Sequence, residues 1–189
     1  MIEQKKKYDI VIGVDPDNKK DGVAILEVAT RRVLVYETTL GQTISMLQKY
    51  AMDCMVKRKS LMVYVEGGWL NTGNFHLKAH DSRAVIAAKG VDQGRNHQRG
   101  MDIVELCEYH QIPHEVIKPL PKVSGRIHLW NGKDGKITQS EIEAIMGKLR
   151  TTGSDGKKKR INQEARDAAL IAWWMAGLPI NTNKTFKLI

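Results

Sequence analysis

The chain is poor in cysteine. Of 189 residues only Cys54 and Cys107 are cysteines. Neither belongs to a Cys-x-x-Cys or Cys/His spacing, so nothing in the sequence suggests a disulfide framework or a zinc site. Two isolated cysteines read as small buried apolar residues in a reducing compartment. The chain also lacks any apolar run long enough to cross a bilayer. Lys5, Lys6 and Lys7 stand near the start, but the apolar stretch of roughly 7–15 residues that a secretory signal needs does not follow them. No long basic amphipathic helix and no lipidation motif appears, which argues against a membrane surface as partner. A cytoplasmic protein is expected. Internal repeats are absent too, as is any strong composition break, so residues 1–189 read as one domain, long enough for a sizeable core.

Acidic charge is in deficit. Lys and Arg number 30 against 21 Asp and Glu, a formal net charge of +9. The sequence pI is near 9.5. Such an excess favours a polyanionic partner, most simply nucleic acid.

Periodicity gives the order of elements. Residues 8–15, 23–28, 33–39, 61–66 and 114–117 read as strands. The first three form an antiparallel meander, with a polar turn over 17–22 and a charged turn around 30–32. Helical spacing marks residues 43–56, 101–110, 139–149 and 163–176, with Asn162 as N-cap of the last. Between 67 and 100, glycines, histidines and charges interrupt the pattern and leave one short helix over 82–89. Residues 123–137 look irregular and basic, and 151–160, rich in Gly, Ser and Lys, look mobile.

Three separate segments carry acids at places that ask for an explanation. Asp15 ends an apolar strand and precedes Pro16, which cannot continue a central ladder. A turn-initiating Asp would look the same. Glu66 ends a second apolar strand ahead of Gly67-Gly68, where a solvent-facing acid is the plain alternative. Glu164 and Asp167, three apart, share one face of the last helix, and Ile171 continues that face. A first-turn acid such as Glu164 also complements the helix dipole; Asp167 lies too deep for that. Carboxylates crowded together repel unless a cation neutralises them, and an all-oxygen donor set suits a hard ion such as Mg²⁺. On a basic chain, that combination suggests phosphodiester cleavage.

These residues resemble the bacterial RuvC Holliday-junction resolvases of the RNase H-like superfamily. The resemblance rests on Ile12-Gly13-Val14-Asp15-Pro16 with Gly22, on Val65-Glu66, on Gln98-Arg99-Gly100 and on the stretch from Gln163 to Ala172. Asp17 stands where that family usually has Gly, and Glu164 where it usually has Asp or His. Residues 67–97 are longer than in the family, and 151–160 look like an added basic insertion, which suggests a phage or mobile-element branch. The resemblance implies an α/β domain with a mixed five-stranded sheet flanked by helices. It further implies Asp15, Glu66, Glu164 and Asp167 as catalytic residues holding two Mg²⁺ ions, with Mn²⁺ as a substitute, and a homodimer built around residues 99–110 that cuts four-way or other branched DNA. Two metal ions so held activate a water and stabilise the leaving oxygen. An RNase H-like nuclease acting on structured RNA, a non-catalytic nucleic-acid-binding module and an actin-like ATPase are the alternatives. The last needs a duplicated domain, for which the chain is too short.

Candidate DNA-binding residues fall in three places. Trp69 and Phe75 lie in the loop after Glu66, where a ring either stacks on an unpaired base or anchors the loop. Lys118, Lys122 and Arg126, with Lys133 and Lys136 nearby, surround the irregular region. Lys157, Lys158, Lys159 and Arg160 lead into the last helix. The six histidines lack metal spacing and read as structural or solvated. Trp173 and Trp174 read as core or interface.

Overall fold

The computed structural model describes residues 8–71, 80–124, 127–149, 151–152 and 158–180. Strands β1 (Ile10–Asp15), β2 (Asp21–Glu27) and β3 (Arg32–Thr38) form the expected antiparallel meander. Helix α1 (Leu40–Val56) carries the chain back over the sheet, so that β4 (Leu61–Glu66) enters parallel to β1. Helix α2 (Arg83–Tyr109) does the same for β5 (His114–Ile117), parallel to β4. The sheet order is β3-β2-β1-β4-β5, the expected mixed five-stranded sheet, with helices on both faces.

Strand parity assigns the faces, because successive side chains point to opposite sides. Ile10, Ile12 and Val14 of β1, Val23 and Ile25 of β2, and Leu61, Val63 and Val65 of β4 bury one face. They meet Ile44 and Leu47 of α1 and Ile103 and Cys107 of α2. The opposite parity buries Val11, Ala24, Leu26 and Tyr64. These pack under α3 (Gln139–Met146) and α4 (Gln163–Met175) through Ile142, Ala165, Ala168, Ala169 and Ala172. Both cysteines are free and buried, as expected. Trp173 is core, its Nε1 donating to the Pro179 carbonyl at 3.0 Å, whereas Trp174 is exposed.

The sheet permits α4 a very close approach. An added Cβ at Gly13 would overlap the Ala168 carbonyl and stand 2.8 Å from the Ala172 nitrogen. At Gly22 it would overlap the Glu164 carbonyl. Glycine at both positions lets the helix backbone lie directly on β1 and β2. Asn162 caps that helix as expected, its Oδ1 accepting from the Ala165 N–H at 2.8 Å.

The largest departure from expectation is α2. The sequence pattern indicates two helices with irregular chain between them, but residues 83–109 form one 27-residue helix. Gly90 and Gly94 lie within it facing open space. Glycine weakens a helix by about 1 kcal/mol relative to alanine but does not end it. Much of the helix N-terminal to Arg99 is exposed, so no apolar stripe was there to read. The region after β5 is less irregular than it looks. It holds a small hairpin of β6 (Val123–Ser124) and β7 (Ile127–His128) and a single 3₁₀ turn at Lys133–Gly135. β8 (Thr151–Thr152) pairs with β9 (Lys158–Lys159). Among the described residues, no helix is long and apolar enough to cross a membrane.

Candidate active site

Two strand ends and one helix bring the acids together. β1 and β4 are parallel neighbours with Val14 opposite Val65, so the next residues, Asp15 and Glu66, end adjacent strands side by side. Neighbouring strands lie about 4.8 Å apart. Both acids have the parity that faces α4. The contacts at Gly13 and Gly22 set the helix over them: Asp167 precedes Ala168, which lies on Gly13, and the Glu164 backbone lies on Gly22, the register partner of Asp15.

The electrostatics follow from this crowding. Burial is the main cause that raises the Asp15 carboxyl well above its ordinary range, and Glu66, Asp167 and Glu164 add repulsion in that order. Burial and then the charge of Asp167 carry Glu66 from 4.5 to about 7. Asp167 is raised chiefly by burial and also by Glu164, against a hydrogen bond from Gln163 Nε2 to its Oδ1 at 2.8 Å. Lys122 opposes the rise at Asp15, Glu66 and Asp167, and Lys136 opposes it at Glu66 and Asp167. Lys122 is therefore sited among the acids rather than on a separate basic surface.

A cleft of about 380 Å³ opens over this end of the sheet. Asp15, Glu66 and Lys122 line it on one side, and Gln93, Asn96 and His97 of α2 on the other. Asp167 instead lines a small cavity behind, shared with Glu66, Lys122 and Lys136. Among the described residues, no three His, Cys, Asp or Glu side chains are gathered as a metal-ligand group. Two of the acids have hydrogen-bond partners: Gln163 holds Asp167, and the Leu120 backbone N–H holds Glu66. The donor chemistry nonetheless fits a hard divalent cation. All four candidate ligands offer carboxylate oxygens, and three of them bind protons unusually tightly, first because they are buried and then because they repel one another, with Lys122 and Lys136 only partly offsetting both.

The other sequence candidates are dispersed. Trp69 is half-buried in a short 3₁₀ turn (Gly68–Leu70), with its ring against Gly100 of α2, where an added Cβ would overlap it. Lys118 and Arg160 are exposed. The backbone of Lys158 and Lys159 forms β9. Phe75, Arg126 and Lys157 lie outside the described residues.

One residue that sequence reasoning assigned no role stands out beside the site. Asp21, at the start of β2, is completely buried and paired with Arg99 of α2, Nε to Oδ1 at 2.8 Å. Thr43 of α1 donates to its other oxygen at 2.7 Å, and Thr43 in turn shares a 2.8 Å hydroxyl contact with Thr38. An acid opening an otherwise apolar strand was the available signal. Its partner lay 78 positions away and could not be read from spacing.

No family model matches the chain, and no curated protein matches it by sequence. Among solved structures it is similar to T. thermophilus RuvC in complex with Holliday junction substrate, with a TM-score of 0.40 and 12% identity over 89% of this chain and 92% of that one.

Proposed function

We propose that the protein is a metal-dependent endonuclease that cleaves branched DNA, with four-way junctions as its preferred substrate. The observation that supports this reading best is that the buried Asp15, Glu66 and Asp167 are all raised at one end of the sheet, Asp15 in part by the charges of Glu66, Asp167 and Glu164, in a chain of net charge +9. Asp15, Glu66, Glu164 and Asp167 would hold two Mg²⁺ ions, or Mn²⁺ in their place. When bound, such ions supply an activated water and charge stabilisation at the leaving oxygen. The chain's own residues do the rest. Lys122 attracts the phosphate to the mouth of the cleft, and the exposed Lys118 and Arg160 hold flanking phosphates by charge. Trp69, whose neighbour Gly68 lines the cleft, would meet the unpaired bases of a branch point. The domain spans residues 1–189 and works as a homodimer, since a symmetric junction offers two equivalent strands to a two-fold assembly.

The deciding experiment incubates the purified protein with Mg²⁺ and a mobile four-way junction, a linear duplex and an RNA hairpin. Symmetric nicking of the junction, abolished by Asp15→Asn with junction binding retained, is the expected result. Cleavage of the hairpin alone would transfer the site to structured RNA. Binding without cleavage in either Mg²⁺ or Mn²⁺ would reduce the protein to a nucleic-acid-binding module.

A further inference from the structure

The turn that follows Asp15 is tied to α2 by two side-chain contacts and approaches it closely at a third place. Arg99 pairs with the fully buried Asp21, whose Oδ1 also accepts the Asp17 N–H at 3.4 Å. One turn of helix earlier, Asn96 Oδ1 accepts the Asn18 N–H at 2.9 Å. One residue later, Gly100 leaves room for the Trp69 ring, and an added Cβ there would stand 3.3 Å from Pro16. Within the turn, Asp17 Oδ1 accepts the Lys19 N–H at 2.9 Å. Among the described residues, the 16–21 turn is thus fastened to α2 by Asn96 and Arg99, with Gly100 permitting the close approach of Pro16.

The need for such fastening is physical. Asp15 is the last residue of its strand, and beyond it the β1–β2 ladder gives way to a turn. Its neighbours Glu66, Asp167 and Glu164 all push against its charge. A repelled carboxylate on an untied turn moves away from the cluster. A guanidinium fixed on a buried carboxylate is a rigid anchor, because its planar donors define direction as well as charge. Leaving either partner alone in the interior is strongly unfavourable.

We infer that Arg99, Asp21 and Asn96 are positioning residues that lock the Asp15-bearing turn onto α2, so that the same helix that walls the cleft also sets where Asp15 stands. This rests on the proposed nuclease reading for its catalytic consequence but not for its structural content. None of the three holds the reacting atoms; they act through the turn.

The test uses the full chain and three variants. Arg99→Lys keeps the charge and loses the planar fork. Asp21→Asn keeps the shape and loses the charge. Asn96→Ala removes a partly exposed contact outside the core, which keeps the test available if either buried variant fails to fold. Hydrogen exchange is followed at the amides of Asp17, Asn18 and Lys19 and, as a control, at Ile12 and Val14 in the core of β1. The expected result is exchange at least tenfold faster in the turn with the β1 amides unchanged. On a four-way junction, single-turnover cleavage should fall about 10- to 100-fold with Kd within twofold. Turn amides that exchange as in the wild type overturn the inference, and so does a uniform acceleration through β1, which marks a merely structural role. A wild-type protein that cleaves nothing, together with selective loosening of the turn in the variants, overturns the nuclease reading and leaves the positioning intact.

Discussion

Replacing Glu66 by glutamine should stabilise the protein above neutral pH in the absence of divalent ions. The Glu66 carboxyl binds its proton with an affinity raised from 4.5 to about 7, so ionising it in the folded state costs more than in the unfolded chain. The folded value lies above the unfolded one. The folded protein therefore holds the extra proton between about 4.5 and about 7, and stability falls as pH rises through that window. Below it the carboxyl is neutral in both states and has no effect; above it the whole penalty is present. At about 1.4 kcal/mol per tenfold change in proton affinity, the ceiling is about 3 kcal/mol. Glu66 keeps some contact with solvent, and losing its attraction for Lys122 and Lys136 works against the gain, so about 1–2 kcal/mol is the expected net. For a chain of this length that corresponds to about 2–8 °C in Tm. The assay is thermal unfolding of wild type and E66Q in chelator at pH 8 and at pH 4. A higher Tm for E66Q at pH 8 that vanishes at pH 4 is expected, and Mg²⁺ should narrow the pH 8 gap by stabilising the wild type. A variant equally or less stable than wild type at pH 8 would refute the claim that burial and the neighbouring Asp167 charge make Glu66 costly to ionise in the folded state.

Gly90→Ala and Gly94→Ala should each stabilise the protein by about 0.5–1 kcal/mol, because both glycines face open space inside α2; urea midpoints that move down would contradict the continuous helix. Gly13→Ala should cost about 3 kcal/mol or more, or prevent folding, since the new methyl meets the backbone of α4 rather than a movable side chain; a soluble variant with unchanged Tm would remove the close crossing. Trp69→Ala should lower stability by about 2 kcal/mol through the lost packing on Gly100, and an unchanged Tm would leave base stacking as its only role. Affinity for DNA should fall with salt at a log-log slope of about −0.9 per neutralised phosphate; affinity that is flat up to physiological salt would exclude an electrostatic footprint.

What was legible in the sequence is what short-range pattern encodes. All five sheet strands could be placed, because β1, β4 and β2 are apolar runs and a charged turn separates β2 from the apolar stretch of β3. The four acids could be found because each breaks an apolar pattern at its edge. α2 could not, because a helix whose first half touches little of the protein needs no apolar stripe, and its glycines imitate loop. The pairing of Asp21 with Arg99 was missed for a different reason. A buried ion pair is a relation between two positions, and neither residue alone differs from a solvated one in the sequence. Lys122 was legible as a basic residue, but its place among the carboxylates came only with the fold.

The crossing of α4 over Gly13 and Gly22 also sets the order in which this molecule comes into being. Asp15 and Glu66 emerge with the first strands, while Asp167 and Glu164 follow every strand of the sheet. Until α4 settles into the groove that the glycines leave, Val11, Ala24, Leu26 and Tyr64 present an uncovered apolar face, and the acids of the strands have no counterparts. A half-made chain thus exposes that face and holds only half of the charged cluster. Docking of one late helix removes both conditions in a single step, so that covering the sheet and assembling the charged cluster are the same event.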